Sequence, residues 1–344
     1  MDGKVRILYK NILIVKPSSL GDVVHTLPLL KDLRMGFPDA HIAWLIKRQY
    51  AGILEGNPYL NEIIPWEWDG FGLIKKLKES RFDLVIDVQG LFRSGFATFL
   101  SGAHERIGFK NARELSPLFY TKRVPVPTMD IHAVDRYRLI TDYLGIKQYP
   151  PDFTIIIDEQ EKGYVERLLF ESGVKDGDIL VMVNPSGRWQ SKRWGTEKFA
   201  SLCDVLSSEY GVKTVIIGGP EDIRTACEVK TLMRTVPIIT AGKTTIKGLV
   251  ALLSKAKVLV TNDSGPMHIA AALNVPVVAI FGPTDPGRTG PYGKGHIVVR
   301  KEMPCSPCFK KYCRDLLCME SVSVKEVKSA FKFLKGENGY RNKS

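Results

Sequence analysis

Seven short runs dominated by consecutive apolar residues, at 12–15, 43–46, 84–88, 180–184, 214–217, 258–261 and 277–281, constrain this chain more than any other feature. Strict alternation of apolar and polar residues would describe strands with one face in water. Unbroken apolar runs describe strands covered on both faces, the condition of a parallel sheet sandwiched between helices. Segments of helical spacing, at 26–37, 196–209 and 246–256 among others, stand between the runs, so the chain reads as βαβ organisation. The pattern halts at 147–158, where Gln148-Tyr149-Pro150-Pro151-Asp152 makes a proline-rich break, and then restarts. Two α/β domains are therefore expected, and 344 residues supply two cores of ordinary size. The segment 324–334 reads as a basic amphipathic helix followed by a polar tail.

Lysine and arginine number 49 against 37 acidic residues, a formal charge of +12. Such a positive field suits nucleic acid, an anionic membrane surface or a phosphorylated substrate, and charge alone does not choose among them. The cations are spread over the α/β units with no aromatic-interleaved basic patch, which argues against nucleic acid as partner. The apolar runs fall well short of the roughly 20 residues of a membrane span, and the amino-terminal stretch lacks a secretory signal. A cytoplasmic location is expected. Two cysteines stand alone, Cys203 and Cys227, while Cys305, Cys308, Cys313 and Cys318 form a tight group unlike a distributed disulfide framework. Structural zinc, an iron–sulfur cluster, or reduced thiols in a packed loop with an occasional disulfide are all compatible with that spacing.

Two turns carry the chemistry. Asn262-Asp263-Ser264-Gly265-Pro266-Met267-His268 follows an apolar strand and leads into a helix, presenting unpaired backbone N–H groups and a positive dipole end where a diphosphate can be held. Lys16-Pro17-Ser18-Ser19-Leu20-Gly21-Asp22 follows the first strand in the same way.

Taken in order, Lys16 to Asp22, Asp87-Val88-Gln89-Gly90, Arg106-Ile107-Gly108-Phe109, Asn184-Pro185-Ser186 with Lys192-Arg193-Trp194, Gly218-Gly219-Pro220-Glu221, Asn262 to His268 and Phe281-Gly282-Pro283-Thr284 resemble the lipopolysaccharide heptosyltransferases of glycosyltransferase family nine. The resemblance spans almost the whole chain. Within the family, Asp87 to Gly90, Ala112-Arg113-Glu114 and His132-Ala133-Val134-Asp135-Arg136 look more like heptosyltransferase I than heptosyltransferase II.

The resemblance implies the GT-B fold: two Rossmann-like domains with parallel sheets facing across a cleft. Residues 1–155 would bind the acceptor, 156–322 the sugar nucleotide, and 323–344 would form a helix crossing back to the first domain. It implies inverting transfer of heptose from ADP-heptose to the Kdo of Kdo-lipid A, by a monomer peripheral to the inner membrane, with no cofactor and no catalytic metal. Another GT-B enzyme, such as a UDP-sugar transferase or a sugar-nucleotide epimerase, shares the same cleft logic.

Such chemistry needs a base for the acceptor hydroxyl and positive or N–H groups for the departing diphosphate. By resemblance Asp22 is the base, with a helix N-cap as its competing structural role. Ser18, Ser19 and Gly21 would shape the acceptor loop, with Arg93 and Arg113 the leading cations toward an anionic acceptor. Lys192 would neutralise the diphosphate, helped by Ser186, Gly187 and Arg188, where the family's threonine pair is absent. Ser264 and Gly265 would offer N–H groups, Asp263 would meet a heptose hydroxyl, and His268 would donate to phosphate or sit as a bonded core histidine. Glu221 would accept from ribose hydroxyls or compensate a helix terminus.

Overall fold

Every described strand is parallel to its neighbours, and the same strand order occurs twice. The structure, a computed structural model, describes residues 9–67 and 71–337. It divides into two units, 1–156 and 157–344.

The first unit contains β1 (Asn11–Val15), α1 (Leu20–Gly36), β2 (His41–Ile46), α2 (Arg48–Ala51), β3 (Glu62–Pro65), α3 (Phe71–Glu79), β4 (Leu84–Asp87), α4 (Phe92–Leu100), β5 (Glu105–Phe109), β6 (Lys122–Val124) and α5 (Ala133–Tyr143). Its sheet runs β3-β2-β1-β4-β5-β6. Ile12 pairs with Ile42 on one side and with Leu84 on the other. Residues 12–15 are fully buried because helices cover both faces, which is why they read as an unbroken apolar run. Buried Arg138 of α5 donates to Asp32 of α1 at 2.8 Å, and the Tyr149 N–H donates to the same carboxylate at 3.0 Å, tying α1, α5 and the following loop together.

The second unit contains α6 (Glu159–Glu171), β7 (Leu180–Asn184), α7 (Thr196–Tyr210), β8 (Lys213–Ile216), α8 (Ile223–Leu232), β9 (Ile238–Ile239), α9 (Ile246–Ser254), β10 (Val258–Asn262), α10 (Gly265–Ala272), β11 (Val277–Phe281), α11 (Pro286–Thr289), β12 (His296–Arg300), α12 (Leu317–Glu320) and α13 (Val324–Glu337). Its sheet runs β12-β11-β10-β7-β8-β9. Renumbered from its own first strand, this is the order of the first unit. Each unit is a doubly wound Rossmann-like sheet whose order reverses between its first and fourth strands, β1/β4 and β7/β10, where such sheets take ligands at the strands' carboxyl ends.

The structure adds to the sequence reading at three places. Helix α1 begins at Leu20, six residues before the predicted start, so Gly21 and Asp22 lie in its first turn rather than in a free loop. Strands β3, β6, β9 and β12 were not read from sequence because they lie at the sheet edges, where strands are short or carry charge or proline, as in Glu62-Ile63-Ile64-Pro65 and Lys122-Arg123-Val124, and β5, inside its sheet, was missed because Glu105, Arg106 and Gly108 break its apolar run. The carboxy-terminal helix was expected as a separate segment crossing to the first domain. Its apolar face, Val327, Ala330, Phe331 and Leu334, joins the core of the second unit with Phe199 and Leu206 of α7. Residues 338–344 lie outside the described residues.

Candidate active site

At the switch point of the first unit, the chain leaving β1 meets the chain leaving β4. Ser19 is the N-cap of α1 and Asp22 lies at its third position. The Ser19 backbone N–H donates to Asp22 Oδ2 at 3.0 Å and its hydroxyl donates to the same oxygen at 2.7 Å. Asp22 is thus not the N-cap itself but the reciprocal half of a capping box. Its other oxygen, Oδ1, accepts from the Tyr137 hydroxyl at 3.3 Å and lies 4.0 Å from Lys16 Nζ. The Lys16 side chain is 4% exposed and that of Asp22 35%, so the carboxylate faces outward over a buried ammonium.

Burial pushes the Asp22 pKa up, but the Lys16 charge, the Ser19 hydrogen bonds and His25 outweigh it and hold the carboxyl well below the usual range. Burial pushes Lys16 down, against the pull of Asp22 and Asp87, and the charges of Arg136 and Arg113 push it the same way. Lys16 also donates to the Val88 carbonyl at 3.3 Å and lies 5.1 Å above the Tyr137 ring.

Asp87, at the end of β4, is fully buried and builds the opposing loop. It accepts from the backbone N–H of Gln89 at 2.9 Å and of Gly90 at 3.0 Å, from Ser94 at 2.8 Å and from Tyr120 at 2.7 Å. Gln89 Oε1 in turn accepts from the Ser18 N–H at 3.3 Å, bracing the two loops together. Gly90 takes φ of +65° and lies where a Cβ would come within 3.0 Å of Ala112.

Of the predicted acceptor residues, Ser18, Ser19 and Gly21 form this loop and helix start. Arg113 is brought to it, with its N–H on the Gly90 carbonyl at 3.0 Å and its charge acting on Lys16. Arg93 stands exposed on α4 and is not among the charges that dominate at Lys16. Sequence reasoning gave no site role to Lys16, Asp87, Gln89 or Tyr137. A buried aspartate closing an apolar run, as at Asp87, was the available signal for one of them.

At the switch point of the second unit, β7 and β10 end in Asn184 and Asn262. Asn184 Nδ2 donates to Ser264 Oγ at 2.7 Å and to Thr261 Oγ1 at 3.2 Å. Asn262 Nδ2 donates to the Pro185 carbonyl at 2.8 Å, and its Oδ1 accepts from the Trp194 N–H at 3.2 Å. Ser264 is the N-cap of α10, yet its hydroxyl makes no bond to the helix because Asn184 and Thr261 hold it. The first turn of α10 keeps its N–H groups and dipole end for an anion.

Lys192 Nζ lies 2.6 Å from Asp263 Oδ2, which also accepts from Thr284 at 2.6 Å. The ammonium sits 4.5 Å over the Trp189 ring. Ser186 is buried, and among the described residues its Oγ has no hydrogen-bond partner. A buried hydroxyl in that condition is costly, and an anionic ligand would satisfy it. Gly187 is buried and its carbonyl accepts from Arg193 Nε at 2.9 Å, while Arg188 is exposed. His268 is buried within α10.

Glu221 is exposed beside the β8 end. The capping role belongs to its neighbour, since the Gly219 N–H donates to Asp222 Oδ2 at 2.9 Å. The Glu221 carboxylate folds back where a Cβ on residue 219 would meet it at 2.6 Å. Sequence reasoning gave no roles to Asn184, Thr261 or Asn262.

Cys305 is exposed, Cys308 and Cys313 are half-buried and Cys318 is buried, all as free thiols. Burial raises the Cys318 pKa, and the other three thiols add to that shift. Among the described residues no three His, Cys, Asp or Glu side chains are arranged to hold a metal ion.

Residues 71–318 match glycosyltransferase family 9 (heptosyltransferase). The chain is 30% identical over 322 residues to lipopolysaccharide heptosyltransferase 1 of Pseudomonas aeruginosa, covering 88% of this chain and 87% of that one. Enzymes named heptosyltransferase 1, 2 and 3 from Escherichia coli are similar at 28% to 30% identity. Among solved structures, a family 9 glycosyl transferase from Veillonella parvula superposes with a TM-score of 0.85 at 29% identity, covering 97% of this chain and 99% of that one. The Escherichia coli heptosyltransferase WaaC with ADP gives 0.72 at 26% identity, covering 94% and 99%.

Proposed function

Given that the chain belongs to glycosyltransferase family 9, the heptosyltransferases, and has the GT-B fold, we propose that it moves L-glycero-D-manno-heptose from ADP-heptose to the Kdo of Kdo-lipid A with inversion at the anomeric carbon. In this reading it works in the cytoplasm as a monomer, peripheral to the inner membrane, as a heptosyltransferase of the first type.

The observation that carries the reading is the pairing of an outward carboxylate held ionised at one switch point, Asp22 over Lys16, with an uncapped helix start and a lysine at the other, α10 and Lys192. The second unit binds the donor. The α10 N–H groups at Ser264 and Gly265 and the Ser186 hydroxyl receive the diphosphate, and Lys192 exchanges Asp263 for phosphate oxygen as charge gathers on the leaving group. Asp263, still held by Thr284, is then available to a heptose hydroxyl. Glu221 accepts from the ribose. Gly187 and Arg188 border the phosphates, and His268 supports α10 from within.

The first unit presents the acceptor hydroxyl to Asp22. A carboxylate held at low pKa is a weak base, so it takes the proton late, as the new glycosidic bond forms and the hydroxyl becomes acidic. Lys16 and Tyr137 fix its position. Arg113, with Arg93 farther out, meets the carboxylates and phosphates of the acceptor.

The test is transfer with ADP-heptose onto Kdo-lipid A, against an acceptor that already carries one heptose. Preference for the heptosylated acceptor would move the assignment to the second type. Stronger thermal protection by UDP than by ADP would defeat the heptose reading.

A further inference from the structure

One surface of the first unit, apart from Arg93 at its edge, has no part in the reaction just proposed. Helix α4 and the turn at Ser116–Phe119 pack against each other through four aromatic rings. Phe119 sits at their centre, with ring centroids 5.4 Å from Phe92, 5.9 Å from Phe96 and 6.1 Å from Phe99. The outer side of this cluster is uncovered. Phe92 and Phe99 are 46% and 50% exposed, and Leu115 and Leu118 at the turn are 68% and 69% exposed. Glu114 and Leu115 both take left-handed backbone angles, φ of +53° and +59°, an arrangement that non-glycine residues rarely adopt and that holds Leu115 outward. Large apolar side chains gathered in water mark an interaction surface rather than chance exposure.

The rim of the patch carries three arginines beside one acid, Glu114, whose carboxylate accepts from the Phe92 N–H at 3.2 Å, and two of the arginines are fastened to the same turn. Arg106 Nε donates to the Phe119 carbonyl at 2.9 Å and stands 5.7 Å over the Phe99 ring. Arg123 Nε donates to the Pro117 carbonyl at 2.9 Å and is exposed. Arg93 follows Phe92 on α4. An apolar centre within a positive rim complements a layer whose surface is anionic and whose interior is hydrocarbon.

We infer that the α4 and 115–119 face is where this chain docks on an anionic phospholipid bilayer, with Phe99, Leu115 and Leu118 entering the headgroup boundary and Arg106 and Arg123 meeting lipid phosphates. The inference rests on the proposed lipid-linked acceptor for its purpose, since docking would keep the enzyme beside a substrate that stays in the membrane.

The test is sedimentation of the full-length chain with vesicles of phosphatidylethanolamine and phosphatidylglycerol, and with vesicles of phosphatidylcholine alone, in the absence of sugar nucleotide. The parent is expected to sediment with the anionic vesicles and to remain in solution with the neutral ones. The Leu115→Ser/Leu118→Ser pair should lower the partition coefficient at least about tenfold, and Arg123→Gln about fivefold. Transfer to a Kdo glycoside without acyl chains should stay within about twofold of the parent in the leucine pair, because neither side chain touches the proposed reacting groups. Absence of the parent from the anionic pellet, or equal partition by parent, leucine pair and Arg123→Gln, would overturn the inference. Loss of transfer with vesicle binding intact would count against the heptosyltransferase reading alone.

Discussion

Lys192 and Asp263 are each other's nearest counter-charge, 2.6 Å apart with both side chains largely buried. The cation assigned to the sugar diphosphate is therefore already neutralised within the protein, and binding must exchange one anion for another. This separates two consequences of removing it. Lys192→Ala should weaken ADP binding at least about tenfold and also destabilise the fold by about 1–3 kcal/mol, because Asp263 is left buried with Thr284 as its partner. The double variant Lys192→Ala/Asp263→Asn should recover the stability but not the affinity. Urea unfolding and ADP titration of the parent and both variants read the two effects apart, and recovery of ADP affinity in the double variant would remove Lys192 from the phosphate site.

Asp22→Asn keeps an oxygen for the Ser19 donors and removes only the charge. Turnover should fall by about two to four powers of ten with ADP affinity kept within about threefold. The folded pKa of Asp22 is depressed, so its contribution to stability is present above the ordinary carboxylate range and is lost as pH falls through the lowered value. Asp22 therefore stays ionised across neutral pH, and no acid limb in kcat/KM above about pH 5 should belong to it. A limb in that region that vanishes in the asparagine variant would contradict the assignment.

Glu326 opens α13 by accepting from the Ser323 N–H at 2.9 Å and from its hydroxyl at 2.7 Å while pairing with Lys301. These contacts hold its pKa down at about 2. A depressed acid stabilises above its unfolded value and loses that contribution as pH falls through the folded one. The difference in urea midpoint between the parent and Glu326→Gln should be constant from neutral pH to about 5 and shrink progressively below about 4.5. A difference that grew on acidification would have the wrong sign for this cap.

Gly108 on β5 is crossed by the Tyr120 ring on its way to Asp87, and a Cβ there would lie 2.2 Å from a ring carbon. Gly108→Ala should cost about 1–3 kcal/mol of stability. It should also lower activity through the Asp87 loop, whereas Tyr120→Phe keeps the packing and loses only the hydroxyl. Equal stability of Gly108→Ala and parent in urea would show that the ring can move aside.

Burial pushes the Cys203 thiol up to about 12, inside α7, whereas Cys227 and Cys305 are exposed. Iodoacetamide labelling of the native chain at neutral pH, read by peptide mass, should modify Cys227 and Cys305 and leave Cys203 untouched until the chain is unfolded. Early modification of Cys203 would place it outside the core of the second unit.

Strand runs, the proline break near 150 and the two strand-to-helix turns were legible in the sequence because each depends on local signals: burial on both faces gives unbroken apolar runs, and a helix start after a strand needs small or polar residues. Ser264 was proposed from its place at such a helix start, whereas Asp22, Lys192 and Ser186 were proposed from the resemblance to the family. What only the tertiary structure decided was who stands beside them. Residue 16 follows β1 and residue 87 ends β4, and they meet because the sheet reverses its order between those two strands. Tyr137 reaches Asp22 across 115 positions because α5 packs on α1. The same holds for Lys192 with Asp263, 71 positions apart, and for α13, whose amphipathic pattern declared a buried face without naming the core that receives it. Periodicity fixes which side of an element is covered, whereas a partner is chosen by topology, and strand order leaves no mark on the spacing of residues within a strand.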